Sequence, residues 1–211
     1  MINKSLCTAK AFLLQNFHPG LSLPVITNSI LKKMFWKFLF SLVLLIAFKH
    51  LSAQKILIGG TEGVRPLQWS DFAGKPDENS IYFAYTAYST KFKFDDVQLN
   101  GDKAIISGFE MTLEFDKNKS WVKKGKETEE LLKHEQGHFD VGLLYMQEVL
   151  QKMIGANFTR AGYKEEFQKL VSDIHQKYKD MGFQYDKETN HSIKKDEQKR
   201  WDAFFNDNVK R

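Results

Sequence analysis

The chain has 211 residues, 42% hydrophobic and 27% charged, with 4 prolines and 13 glycines. This is globular composition at a length that suits one domain with a sizeable core, and it excludes a wholly disordered chain or a collagen-like or proline-rich stalk. The formal net charge is +5, but residues 1–53 hold six lysines and no acid, leaving 25 basic against 26 acidic residues downstream, so nothing there is the electrostatic footprint of a DNA or RNA binder.

In chain order, Lys32, Lys33 and Lys37 form a basic stretch, Phe38 to Phe48 an apolar run, and Leu51, Ser52 and Ala53 a small-residue site. This is the order of a secretory signal peptide cleaved after Ala53. The run falls short of the roughly 20 residues that span a bilayer, which leaves an uncleaved signal anchor as the rival reading. Residues 1–33 are too long for the front of such a signal and read as an upstream extension, with translation starting at Met34. The expected organisation is an extension over 1–33, a signal peptide over 34–53, and one exported domain over 54–211. That domain is periplasmic or secreted and touches the membrane only through the signal segment. The chain's one cysteine, Cys7, lies in the leader, so no internal disulfide forms and the domain has no thiol for catalysis or metal binding.

Downstream, Ile81 to Tyr88 is rich in aromatic and β-forming residues, Lys91 to Phe94 alternates, and Phe109 to Phe115 alternates apolar with polar, as a half-buried strand does. Asn100, Gly101 and Asp102 mark a turn before a strand at Lys103–Ser107. Thr128 is placed to cap a helix over 129–153, ending near Gly155. A second helix is expected from Gly162 to Met181, stopped by Gly182, and a last polar one over 192–208. Strands followed by helices predict an α+β fold, with a small antiparallel sheet preceding the helix at 129. Trp69, Trp121, Tyr82, Tyr85 and Tyr88 read as core.

The informative stretch is His134, Glu135 and His138, a His-Glu-x-x-His pattern on the first helix. Residues four apart on a helix lie about 40° apart around its axis, one turn up, so both imidazoles can reach one zinc ion. Glu135 lies about 100° from His134, where it can flank the metal and take a proton from water without ligating. This is the zincin arrangement. Val141 and Leu144 stand where a metzincin would continue its motif. Helical geometry turns Glu166 and Asp173 to solvent and puts His175 on a flank, so His191, in the segment after the second helix, is the expected third ligand, with His175, Glu166 and Asp173 as alternatives. Tyr185 is a candidate donor to a developing oxyanion. Asp186 or Asp140 could orient a ligand histidine through its second ring nitrogen.

The chain resembles a bacterial family of uncharacterised proteins regarded as secreted zinc-dependent proteases. The resemblance runs from about Pro66 to Trp201. It rests on Leu67 to Pro76, on Ser120 and Trp121, on Leu131 to Asp140 with its His-Glu-Gln-x-His-Phe-Asp run, and on Tyr185, Asp186, Thr189, Asn190 and His191. In that family the last histidine is usually followed by glycine, where this chain has Ser192. The resemblance implies a zincin-like domain.

The expected activity is zinc-dependent hydrolysis of peptide bonds in a peptide or protein substrate. His134, His138 and His191 hold Zn2+, Glu135 is the general base, and Tyr185 assists. Two rival functions are a non-catalytic zinc-containing envelope binding protein and a metal amidase acting on cell-wall cross-links.

Overall fold

The computed structural model describes residues 54–210, so the signal segment and upstream extension expected over 1–53 lie outside the described residues. Among the described residues, nine short strands and a single 3-10 turn (Trp69–Asp71) precede or flank three α-helices. The fold is α+β, as the sequence pattern predicts.

β1 (Gln54–Ile58), β2 (Thr61–Glu62), β4 (Tyr88–Lys93) and β7 (Glu110–Phe115) form a four-stranded sheet in the order β2-β1-β7-β4. It is not purely antiparallel: β1 runs parallel to β7, Gln54 opposite Met111 and Ile58 opposite Phe115. β3 (Ala84–Tyr85) pairs with β8 (Trp121–Val122), and β5 (Asp96–Asn100), β6 (Lys103–Ser107) and β9 (Phe158–Thr159) form a third small sheet. Gly101, at φ 57, takes the left-handed conformation that the tight turn between β5 and β6 demands.

β7 shows why the central sheet has a defined inner face. Met111, Leu113 and Phe115 are fully buried and alternate with partly exposed Glu110, Thr112 and Glu114, the period-two pattern of a half-buried strand. Across this face lies α1 (Glu129–Met153), whose first turn is closed by the Thr128 side chain accepting from the Leu131 N–H. Phe139 meets Phe115 edge-on with ring centres 5.7 Å apart. α2 (Tyr163–Thr189) packs against α1, and α3 (Lys195–Asn208) closes the far side with Phe205 buried against Tyr185. Among the described residues no helix is long and apolar enough to cross a membrane.

Two elements differ from expectation. α2 does not stop at Gly182 but continues to Thr189. A glycine inside a helix costs only about 1 kcal/mol relative to alanine, and the extra turns bury Tyr185 and Thr189 completely. The stretch from Ile81 to Tyr88 is a strand only at Ala84–Tyr85 and from Tyr88 onward. Tyr82 and Tyr85 are exposed rather than core, and Trp69 and Tyr88 are partly buried against the core.

The loop before β3 is pinned by a buried acid. Asp71, 1% exposed, takes two hydrogen bonds of 2.7 Å from Arg65, an ion pair of 3.2 Å with Lys117, and the Gln68 N–H at 3.0 Å. The Arg65 hydrogen bonds, opposed by burial, hold its pKa at about 2 instead of 3.8. A carboxyl so lowered stabilises the fold by about 2 kcal/mol above pH 4, and the stabilisation is lost as pH falls through the folded value. Asp71→Asn should therefore lower the urea midpoint at pH 7 and flatten the dependence of stability on pH between 4 and 2. Equal slopes for both proteins in that window would contradict the assignment.

Candidate metal centre

α1 carries the His-Glu-x-x-His run into the middle of the molecule. His134 is 2% exposed and Glu135 3%. The rest of the motif is explained by what each residue touches. Gln136 accepts from the Leu67 N–H at 2.8 Å and donates to Asp140 at 2.9 Å, tying the pinned loop to the helix. Gly137 leaves room for the Tyr185 ring, which a Cβ there would overlap. Phe139 is core. Asp140 is buried and accepts from Gln136 on its own helix.

About one turn beyond Gly182, α2 delivers Tyr185 and Asp186 to the same place. His134 Nε2 lies 3.1 Å from Asp186 Oδ1, His138 Nε2 lies 3.0 Å from it, and the two imidazole nitrogens are 3.3 Å apart. His191 reaches the cluster from the turn after α2, its Nδ1 3.2 Å from the same Asp186 oxygen. Its side chain is 41% exposed, and its ring packs on Tyr82 with centres 4.8 Å apart. All three histidines expected at the site are thus brought together. Asp186 faces Nε2 of His134 and of His138 as well as Nδ1 of His191. The nitrogen of His134 on the other side, Nδ1, faces Gln198 at 3.2 Å. A helix stop at Gly182 would leave Asp186 on a loop, whereas it lies within α2.

Charge follows this geometry. Burial works to raise the Asp186 pKa, but hydrogen bonds with His134 and His138 hold it well below the usual carboxylate range. Burial works against a charged His138, yet the Asp186 hydrogen bond and the nearby Glu135 charge raise its pKa. Two imidazole nitrogens and a carboxylate oxygen converge, as a cation site requires. Their ligand atoms lie within 4.8 Å of one another. The triangle they form, with sides of 3.0, 3.1 and 3.3 Å, matches one face of a tetrahedron around zinc, whose edge is ~3.3 Å for bonds of 2.0–2.1 Å.

Glu135 stands beside the triangle. The Thr86 hydroxyl donates to its Oε2 at 2.7 Å, a partner that no sequence pattern signalled. Glu135, His134 and His138 line a cleft of about 600 Å³. Exposed apolar side chains line it: Ile81, Phe183 and Ile193 are 83%, 61% and 69% exposed, and Tyr82, Phe83 and Tyr85 join them. Tyr185 is not available to an oxyanion. It is fully buried, stacks on His134 with ring centres 4.6 Å apart, and donates its hydroxyl to the His134 carbonyl at 3.2 Å. Burial pushes its pKa up, so the hydroxyl keeps its proton. The alternative ligands are elsewhere: Glu166 accepts from Thr159, Asp173 pairs with Lys169, and His175 lies edge-on to Tyr145.

A family model described as bacterial protein of unknown function (DUF922) matches residues 68–192, more than half of the chain. The chain belongs to this family. No curated protein and no solved structure matches it. The matched span runs from the loop at Gln68 to the turn at Ser192, takes in His134, His138, Asp186 and His191, and ends before α3.

That turn is strained. Asn190, His191 and Ser192 adopt φ of 49, 52 and 74 in succession, a region that costs a residue with a Cβ roughly 1–2 kcal/mol. The position after the last histidine therefore favours glycine on backbone grounds. Ser192→Gly should raise stability by about 0.5–1 kcal/mol, the released strain being partly offset by the glycine's larger loss of freedom on folding. Ser192→Val should lower stability in the same chemical-denaturation series. A Val variant as stable as the parent would mean that the turn relaxes.

Proposed function

We propose that this chain is an exported zinc-dependent peptidase with a zincin-like active site. The observation that carries the reading is the triangle of His134 Nε2, His138 Nε2 and Asp186 Oδ1, with sides of 3.0–3.3 Å, lying beside a buried glutamate and opening on a cleft. His134, His138 and Asp186 would hold the zinc. This assigns the third position to Asp186 and leaves His191 at the rim, its Nδ1 3.2 Å from the same carboxylate oxygen. Zinc in such a site supplies Lewis acidity, polarising a carbonyl and lowering the pKa of water to about 7.

The chain's own residues do the rest. Glu135 accepts the proton of the attacking water and returns it to the leaving amine, the role of a general base that then acts as an acid. Thr86 holds one oxygen of that carboxylate at 2.7 Å, so its orientation is set before substrate arrives. The apolar rim suits a polypeptide with large apolar side chains near the scissile bond. Export rests on the basic stretch, the apolar run and Ala53. Cleavage there leaves Gln54, opposite Met111 in β1, as the first residue, so every described element is kept.

His191 favours a second reading. If its Nδ1 took the fourth position, four protein groups would close the site as in structural zinc centres, and the chain would be a zinc-containing envelope binding protein.

One variant set separates the two. Glu135→Gln should keep one zinc per chain and lose hydrolysis of denatured protein by about 10²–10⁴-fold. Asp186→Ala should lose the zinc, and His191→Ala should keep it. Undiminished hydrolysis by Glu135→Gln would remove the general base from the account. Loss of zinc from His191→Ala, with no hydrolysis by the wild type, would establish the closed site.

A further inference from the structure

We infer that Gln198, on the helix beyond the family match, is a positioning residue that fixes which nitrogen of His134 carries its proton, and that Asp202 in turn fixes Gln198. The inference rests on the hydrogen-bond inventory of one buried amide. Gln198 is 6% exposed. Its Oε1 lies 3.2 Å from His134 Nδ1, while its Nε2 donates to the Tyr185 hydroxyl at 2.7 Å and to Asp202 Oδ1 at 2.8 Å.

The amide can face only one way. An ionised carboxylate accepts and never donates, so Asp202 must meet the NH₂ end of Gln198. The Tyr185 hydroxyl has spent its own proton on the His134 carbonyl and can only accept from the same NH₂. Oε1 is left to face the imidazole. A second oxygen near that nitrogen is equally unable to donate to it: Thr189 Oγ1 lies 3.5 Å from Nδ1, and its proton goes to the Tyr185 carbonyl at 2.7 Å. His134 Nδ1 therefore meets two acceptors and must supply the hydrogen itself. Nε2, 3.1 Å from Asp186 Oδ1 and 3.3 Å from His138 Nε2, is then the nitrogen that would turn a lone pair to a metal once the ion takes the place of a proton there, the state a metal ligand needs. Partners of this kind that orient a ligand histidine typically change metal affinity 10–100-fold when removed.

The inference deepens the proposed function, since its affinity arm assumes that His134 binds zinc, but the proton on Nδ1 can be read independently. Long-range ¹H–¹⁵N correlation on the 54–211 protein, with and without zinc, should show a proton on His134 Nδ1 that exchanges slowly with water. Gln198→Met keeps the size of the side chain and removes the acceptor. It should speed that exchange and weaken zinc binding 10–100-fold in chelator competition. The double variant Gln198→Glu with Asp202→Asn restores an acceptor toward His134 and a donor toward the new carboxylate but removes the donor to the Tyr185 hydroxyl, and should recover part of both effects. Should Gln198→Met fail to fold, Asp202→Ala, at a partly exposed position, should give the same changes at smaller size. Zinc binding and Nδ1 exchange in Gln198→Met or Asp202→Ala equal to wild type would overturn the inference. A wild type with a protected Nδ1 proton and no affinity for zinc would overturn the proposed function while leaving Gln198 in its role.

Discussion

The site is organised around the face-to-face packing of Tyr185 on His134, in the space that Gly137 leaves open on α1. The contact joins the two helices that carry the cluster. Because Tyr185 and Asp186 are consecutive, burying the tyrosine ring fixes the height and rotation at which the aspartate meets His134 and His138. The same tyrosine hydroxyl donates to the His134 carbonyl and accepts from Gln198. One buried phenol thereby sets the place of α1, α2 and α3 relative to a single point.

Other features of the chain make sense as what this arrangement requires. α2 must pass through Gly182 to bring Tyr185 and Asp186 into register, and the burial of a whole tyrosine outweighs the glycine's propensity cost of about 1 kcal/mol. The chain must then reverse at once to place His191 beside Asp186, which forces three successive residues into the left-handed region. Strain of this sort persists only where surrounding structure over-determines it. Here Thr189 is fully buried, and the His191 ring is held between Tyr82 and Asp186. On the other side, Gln136 and the ion pair of Asp71 hold the loop leading toward β3, and β3 brings Thr86 to Glu135.

Much of this is legible in the residues themselves. The Thr128 cap, the glycine near 155 and the apolar period mark α1 correctly, and helix geometry alone places His134, Glu135 and His138 on neighbouring faces. The alternation of β7 shows which of its residues are core. What escapes a sequence reading has identifiable causes. Gly182 resembles a helix stop because local propensity carries no information about the distant ring of His134. That misreading moves Asp186 off its helix and hides it as a candidate ligand. Gln198 and Asp202 sit on a helix polar enough to look solvated throughout, and only the three-dimensional meeting with Tyr185 distinguishes them. Tyr82 and Tyr85 read as core by residue type, yet a cleft needs an apolar wall, and they supply it.

The most direct test of the account is X-ray absorption at the zinc edge of the 54–211 protein loaded with one equivalent of zinc, beside the same spectrum of Asp186→Ala. The account predicts stoichiometric zinc in the parent with nitrogen and oxygen neighbours at about 2.0–2.1 Å, two of them imidazoles, and loss of the bound ion in the variant. A parent that retains no zinc, or that holds it through three imidazoles with Asp186→Ala unchanged, would contradict the assignment of His134, His138 and Asp186 as the metal centre.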